Sequence, residues 1–160
     1  MSFVESNILW KEAENALLHY LIDNNEIISL EVAQWKFKDW DIKMTTKEWV
    51  TTYEVKSDRR SEESWNLCIE YMYNWKSSWI YSSKADYVVY YCNKQWRIQD
   101  RWLLLWKIND VEKEIKKWGD GNLSRLFLFK VDKLPELFKK MEWLPTLTLY
   151  TEITWKTEDK

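Results

Sequence analysis

The chain is poor in the residues that usually make tight turns or hold metals. Its 160 residues include two glycines, two prolines, two cysteines and one histidine. Average glycine usage of ~7% would give about eleven in a chain of this length. With Cys68, Cys92 and His19 as the whole set of soft ligands, Cys/His zinc sites and four-cysteine clusters are excluded. We expect both cysteines to be buried thiols outside any disulfide.

Long apolar runs and an excess of one charge are also missing. No apolar run approaches the roughly 18 residues of a membrane span, and no basic segment followed by an apolar one opens the chain. We therefore expect a cytoplasmic protein without a membrane partner. Lys and Arg number 24 against 26 Asp and Glu, a net charge of −2, so no global basic field attracts nucleic acid.

What remains is typical of a globular protein with one anomaly. Hydrophobic residues make up 46% of the chain and charged residues 31%, which excludes collagen-like and disordered classes. The length predicts a single domain over residues 1–160. The anomaly is tryptophan, which occurs 13 times.

Hydrophobic periodicity predicts the elements. Apolar residues recur at spacings of three and four in some segments, which favours helices, and alternate in others, which favours strands. The predicted helices are 6–22, 100–117 and 134–141, and the predicted strands are 27–33, 40–45, 50–57, 67–71, 85–92, 96–99 and 123–131. The pattern predicts an α/β (α+β) domain with one layer of mixed β-sheet flanked by helices.

A cluster of charged residues is predicted where two of these strands form a hairpin around residues 47–49. Alternation places Glu54 and Lys56 on one face of their strand, while Val55 points into the core. Antiparallel pairing brings Asp41 to the same end. Converging carboxylates are costly unless a cation neutralises them, and Mg²⁺ is usually bound by one or two carboxylates, water and phosphates. The pattern therefore predicts a magnesium site for a phosphodiester substrate, with Lys56 orienting the attacking water or neutralising charge.

These residues resemble the motif of the PD-(D/E)XK nuclease superfamily. In that motif an Asp begins one strand and (Asp/Glu)-x-Lys lies on the next, as Asp41 and Glu54-Val55-Lys56 do here. Trp40 stands where a proline often precedes the Asp. The run Trp10-Lys11-Glu12-Ala13-Glu14 is similar to the Gly-Lys-x-x-Glu helix of small stand-alone, phage-type members, and the resemblance covers roughly residues 9–92.

The resemblance implies a restriction-endonuclease-like core and a nuclease that hydrolyses DNA with Mg²⁺ or Mn²⁺. It implies Asp41, Glu54, Lys56 and Glu14 as catalytic residues, and Asp41, Glu54, Val55 and Glu14 as the metal site. DNA is the implied partner, and a homodimer is compatible with it. A local basic cluster would contact DNA phosphates: Arg59, Arg60, Lys76 and Lys84.

The same charged residues also allow an interpretation without catalysis. An isolated Glu-x-Lys is commonly an ion pair on a solvated strand face. The chain would then be an inactive nuclease-fold module that binds DNA or another protein. Glu70 could join the site or pair with Lys84.

Several tryptophans stand where relatives of this type, or a tight turn, favour glycine. They are Trp10, Trp49, Trp65, Trp75, Trp79 and Trp118. One hypothesis is that the gene uses UGA as a glycine codon and that this codon is read here as tryptophan. The alternative is a genuinely tryptophan-rich protein, with some indoles forming a stacking surface for bases. An aromatic residue is plausible at Trp40, Trp96 and Trp102.

Overall fold

The computed structural model describes residues 3–34, 37, 39–58, 60–109, 111, 113–117 and 121–142. The helices are α1 (Phe3–Asn24), α2 (Arg60–Ser64), α3 (Trp79–Ser82), α4 (Arg101–Ile108) and α5 (Leu134–Leu137), and a 3₁₀ turn covers Val131–Lys133. The strands are β1 (Ile27–Val32), β2 (Ile42–Thr46), β3 (Val50–Asp58), β4 (Asn66–Tyr73), β5 (Lys76–Ser77), β6 (Tyr87–Cys92), β7 (Gln95–Asp100), β8 (Lys113–Lys117), β9 (Leu123–Lys130) and β10 (Lys139–Met141).

The strands form two sheets. The larger sheet has the order β1-β2-β3-β6-β7-β10, and its neighbours are antiparallel except β3 and β6, which are parallel. The smaller sheet has the order β5-β4-β9-β8 and is antiparallel throughout. The predicted α/β (α+β) class with a mixed sheet flanked by helices is therefore confirmed. The expectation of one sheet layer was wrong, because β4 and β9 pair with each other apart from the larger sheet.

The hairpin predicted around residues 47–49 is present. β2 and β3 pair with Ile42 opposite Tyr53 and Thr45 opposite Val50. The turn is held by the amide of Thr46, which donates to the carbonyl of Trp49 at 2.9 Å. This register sets Asp41, just before β2, beside the centre of β3.

Two hydrophobic clusters cover the two faces of the larger sheet. On one side α1 packs Ala13, Leu17 and Leu21 against Ile42 and Val55, all nearly inaccessible to solvent. The other cluster joins β6 to the smaller sheet and to α4, and it includes Val88, Tyr90, Ile69, Phe127 and Leu104. Because successive residues of a strand point to opposite faces, β6 supplies side chains to both clusters, as its unbroken apolar sequence predicts.

Two predicted helices end earlier than expected. Asp100 caps α4, since its Oδ1 accepts from the amide of Leu103 at 3.0 Å, but the helix stops at Ile108. Residues 113–117 instead form β8, an edge strand rich in lysine, and lysine is common on such edges because it discourages further pairing. Likewise α5 ends at Leu137, and Lys139–Met141 pairs with β7.

The two cysteines differ in exposure, and so do the tyrosines of β6. Cys92 is buried as predicted, but Cys68 is exposed, because it lies on an outward-facing position of β4. Tyr90 and Tyr91 belong to the core, whereas Tyr87 is partly exposed. None of the helices in the described ranges is long and apolar enough to cross a membrane.

Candidate functional site

Asp41 is buried beside β3. Its side chain is bound through Oδ2, which accepts from the amide of Val55 at 2.7 Å. Its own amide donates to the carbonyl of Tyr53 at 2.9 Å. Asp41 is 9% exposed, and the hydrogen bond from Val55 holds its carboxylate against the backbone next to Glu54.

Glu54 and Lys56 lie side by side, as strand alternation requires. Lys56 Nζ is 3.2 Å from Glu54 Oε1, while Glu54 Oε2 accepts from the hydroxyl of Ser83 at 3.0 Å. Glu54 is 5% exposed, so both of its oxygens depend on protein partners for the hydrogen bonds that water would otherwise provide. Val55 between them is fully buried under α1.

Glu14 joins this group from α1. Burial is the main cause that raises the pKa of Glu14 to about 7 from 4.5, and Asp41 and Glu54 raise it further. Lys56 and Lys11 act in the opposite direction. Carboxylates influence each other in this way only when they are close, so α1 brings a third carboxylate to the hairpin.

The other two carboxyl groups are also shifted toward the neutral form. Burial raises the pKa of Asp41, against the opposing effects of Lys56 and the Val55 amide. Burial raises the pKa of Glu54 as well, with Lys56 opposing and Asp41 adding to it. Lys56 is the ammonium that acts on all three buried carboxyl groups, and Lys11 acts on Glu14 as well. The pKa values of the three carboxyl groups are raised in spite of these lysines, so a further cation at the site would be favourable.

The donor set has the chemistry that Mg²⁺ prefers, since Asp41, Glu54 and Glu14 offer only carboxylate oxygens. Mg²⁺ is commonly held by one or two carboxylates and completes its shell with water and phosphate. Within the described part of the chain, no group of three or more His, Cys, Asp or Glu side chains is arranged to hold a metal ion. Asp41 and Glu54 supply the one or two carboxylates that a magnesium ion bound in this way requires.

Two polar residues that support the site were missed by sequence reasoning. Ser83 Oγ lies 3.0 Å from Glu54 Oε2 and 3.1 Å from the carbonyl of Asp39, and it accepts from the amide of Ala85 at 3.1 Å. Arg101 donates to the carbonyls of Ala85 and Ile80 at 3.1 and 3.2 Å. Arg101 is buried and so fixes the segment that carries Ser83. No local motif marks either residue, because the Ser83 contact depends on the parallel pairing of β3 with β6 and the Arg101 contacts depend on the antiparallel pairing of β6 with β7.

Trp79, the first residue of α3, covers Lys56. Its indole lies 5.2 Å from Lys56 Nζ and 6.3 Å from the ring of Tyr90. A cation over an aromatic face is attracted to it, so Trp79 holds the ammonium as well as shielding it.

Of the four basic residues predicted to contact DNA, Lys84 lies near this site and Lys76 does not. The side chains of Arg59 and Arg60 lie outside what the structure describes. Lys84 is exposed near the site and lies 3.9 Å from Asp39 Oδ2. Lys76 lies on β5, at an edge of the smaller sheet.

Glu70 is placed away from the carboxylate group. It is on β4 of the smaller sheet and accepts hydrogen bonds from the hydroxyls of Ser78 and Ser124. Among the described contacts, Glu70 therefore pairs neither with the carboxylate group nor with Lys84. Its hydrogen bonds are made within and beside the smaller sheet.

Comparison with protein-family models gave no match to the chain, and comparison with curated proteins gave none either.

Proposed function

We propose that the protein is a metal-dependent nuclease that hydrolyses phosphodiester bonds of DNA. The observation that carries this proposal is the burial of three carboxyl groups, Asp41, Glu54 and Glu14, around Lys56 at one end of a β-hairpin. Burying several ionised carboxylates close together destabilises the folded protein unless a cation neutralises them. The oxygen donors of this cluster are those that Mg²⁺ or Mn²⁺ prefers.

The residues have distinct roles in this proposal. Asp41 and Glu54 hold the metal, and Glu14 adds negative charge from α1. Lys56 provides an ammonium beside Glu54, where it would neutralise charge on the phosphate or orient the attacking water. When bound, Mg²⁺ neutralises phosphoryl charge and lowers the pKa of a water molecule.

Exposed basic side chains near the site would position the DNA. Lys84 is exposed next to Ser83, and Arg59 and Arg60 follow β3 in sequence. Contacts to phosphate give affinity and register without reading the sequence. Since the net charge is −2, binding should depend on these local residues and weaken as salt rises.

Cleavage of labelled DNA tests the proposal. The substrates are linear duplex, single-stranded and four-way-junction DNA, each with Mg²⁺, with Mn²⁺ and with EDTA. The wild-type protein is compared with Lys56→Ala and with Lys43→Ala. Lys43 is a matched control because it lies on the neighbouring strand and pairs with Glu31 at 3.5 Å, outside the carboxylate cluster.

Metal-dependent cutting that is lost in Lys56→Ala and kept in Lys43→Ala is the expected result. Absence of cutting by folded wild-type protein on all three substrates would contradict the proposal. DNA binding in that case would favour the inactive nuclease-fold module, for which the indole of Trp79 over Lys56 is a structural argument. A homodimer would be detected by sedimentation of the same samples.

A further inference from the structure

Two tryptophans occupy backbone conformations that favour glycine. Trp65 has φ of 57° and Trp75 has φ of 66°, both in the left-handed region. In this region Cβ approaches the following carbonyl oxygen, which costs a bulky residue far more than glycine. Both indoles are exposed, at 58% and 73%, so no core packing compensates for the strain. The guanidinium of Arg125 lies 4.7 Å from the Trp75 ring, a contact on the surface that offsets a small part of it.

Trp65 lies at the C-terminal end of α2. Its amide donates to the carbonyl of Ser61 at 3.1 Å, four residues back, immediately after the helix ends at Ser64. A left-handed residue that closes a helix with this hydrogen bond is a very common helix stop, and glycine is the usual residue there.

Trp75 lies in the two-residue turn between β4 and β5. Tyr73 pairs with Lys76, and the two residues between them, Asn74 and Trp75, both have positive φ, at 45° and 66°. This is the type I′ hairpin turn, for which Asn-Gly is the preferred sequence. Asparagine already occupies the first position.

From these two positions we infer that residues 65 and 75 are glycine in the native protein, and that the corresponding codons are UGA decoded as glycine. Two unrelated motifs, a helix stop and a type I′ turn, each have tryptophan at a position where glycine is preferred. The β6–β7 turn has the same positive φ values at Asn93 and Lys94, so the inference depends on tryptophan standing at two such positions and not on positive φ alone. A chain with two glycines in 160 residues lacks about nine of the expected number, which agrees with this assignment.

Other tryptophans differ from Trp65 and Trp75 in burial or in backbone conformation. Trp96 is 3% exposed and its ring centre is 5.1 Å from that of Tyr91, so it belongs to the core and should be encoded by UGG. Trp79 packs against the core and Lys56, and the turn residue Trp49 is not among those with positive φ. Trp118 and the side chain of Trp10 lie outside the described residues.

The gene and the native protein test the inference directly. Trypsin cleaves after Arg60 and Lys76, so a single peptide, residues 61–76, carries both positions. We expect UGA at codons 65 and 75, and in protein isolated from its natural source a peptide mass with glycine at both. A peptide containing Trp96 is the control and should keep tryptophan. UGG at either codon, or a native peptide mass with tryptophan at either position, would overturn the inference.

Stability of the recombinant chain gives a second measurement. Left-handed strain of roughly 1–2 kcal/mol corresponds to a change of about five- to thirty-fold in the folding equilibrium constant. Trp65→Gly and Trp75→Gly should each raise the constant by that factor, whereas Trp96→Gly should lower it. The inference is contradicted if glycine at 65 and 75 lowers the constant as it does at 96.

Discussion

Glu14 makes the stability of the protein depend on pH in a direction opposite to that of an ordinary salt-bridged carboxylate. Its pKa is about 7 in the folded protein and close to 4.5 when exposed in the unfolded chain. Between these values the folded form binds more proton than the unfolded form, so stability falls as pH rises. The cost is absent below pH 4.5 and complete above pH 7.

The size of this effect follows from the shift. One pKa unit corresponds to about 1.4 kcal/mol, so the shift sets an upper bound of roughly 3 kcal/mol. Solvent at the edge of the cluster screens part of this, which leaves about 1–2 kcal/mol. Glu14→Gln, which removes the charge and keeps the shape, should therefore stabilise the protein by that amount at pH 8 and by about a quarter of it at pH 5.

Urea unfolding followed by tryptophan fluorescence, in EDTA at pH 5 and pH 8, measures the difference. The control is Glu48→Gln, the same chemical change at an exposed residue of the β2–β3 turn. If Glu14→Gln gives the same free energy difference at both pH values, or destabilises at pH 8, the carboxyl group is not held in a strained cluster and the reasoning is refuted.

Two further predictions concern the residues that support Glu54. Ser83→Ala should reduce stability by about 1–3 kcal/mol, because the Ala85 amide loses its acceptor and Glu54 a donor. Ser82→Ala, which removes a hydroxyl from the same segment without touching Glu54, should cost less, and equal losses in urea unfolding would contradict a special role for Ser83. Arg101→Met should cost about 2–3 kcal/mol, since two buried carbonyls lose a charged donor. Under the same assay exposed Lys133→Met should change stability by under about 0.5 kcal/mol, and a similarly small loss for Arg101→Met would count against the buried contacts.

The hairpin and the grouping of Asp41 with Glu54 and Lys56 could be predicted because they depend on local rules. Strand alternation fixes which side chains share a face, and a short turn fixes which residues pair. The same rules do not predict the role of Ser83. It lies 29 residues after Glu54 in sequence, and the parallel pairing of β3 with β6 brings the two side chains together. Long-range pairing of this kind leaves no local pattern.

The region after Asp100 shows why periodicity alone was insufficient. Leu104, Ile108, Val111 and Ile115 have the spacing of one continuous helix face, yet only Leu104 and Ile108 are buried on a helix. Ile115 lies on β8, 56% exposed, opposite Arg125 of β9. The backbone of this segment finds its hydrogen-bond partners on β9, and tertiary pairing of this kind overrides a local preference.

The parallel contact between β3 and β6 also affects how the chain can be synthesised and folded. About thirty residues separate the two strands, and through that interval β3 has one unpaired edge while β2 already covers the other. An open strand edge invites pairing with other chains. A nascent chain that has released β3 and not β6 therefore exposes a strand edge that can pair with another chain. Pairing of β6 with β3 covers that edge and places Val88 in one core and Val89 in the other.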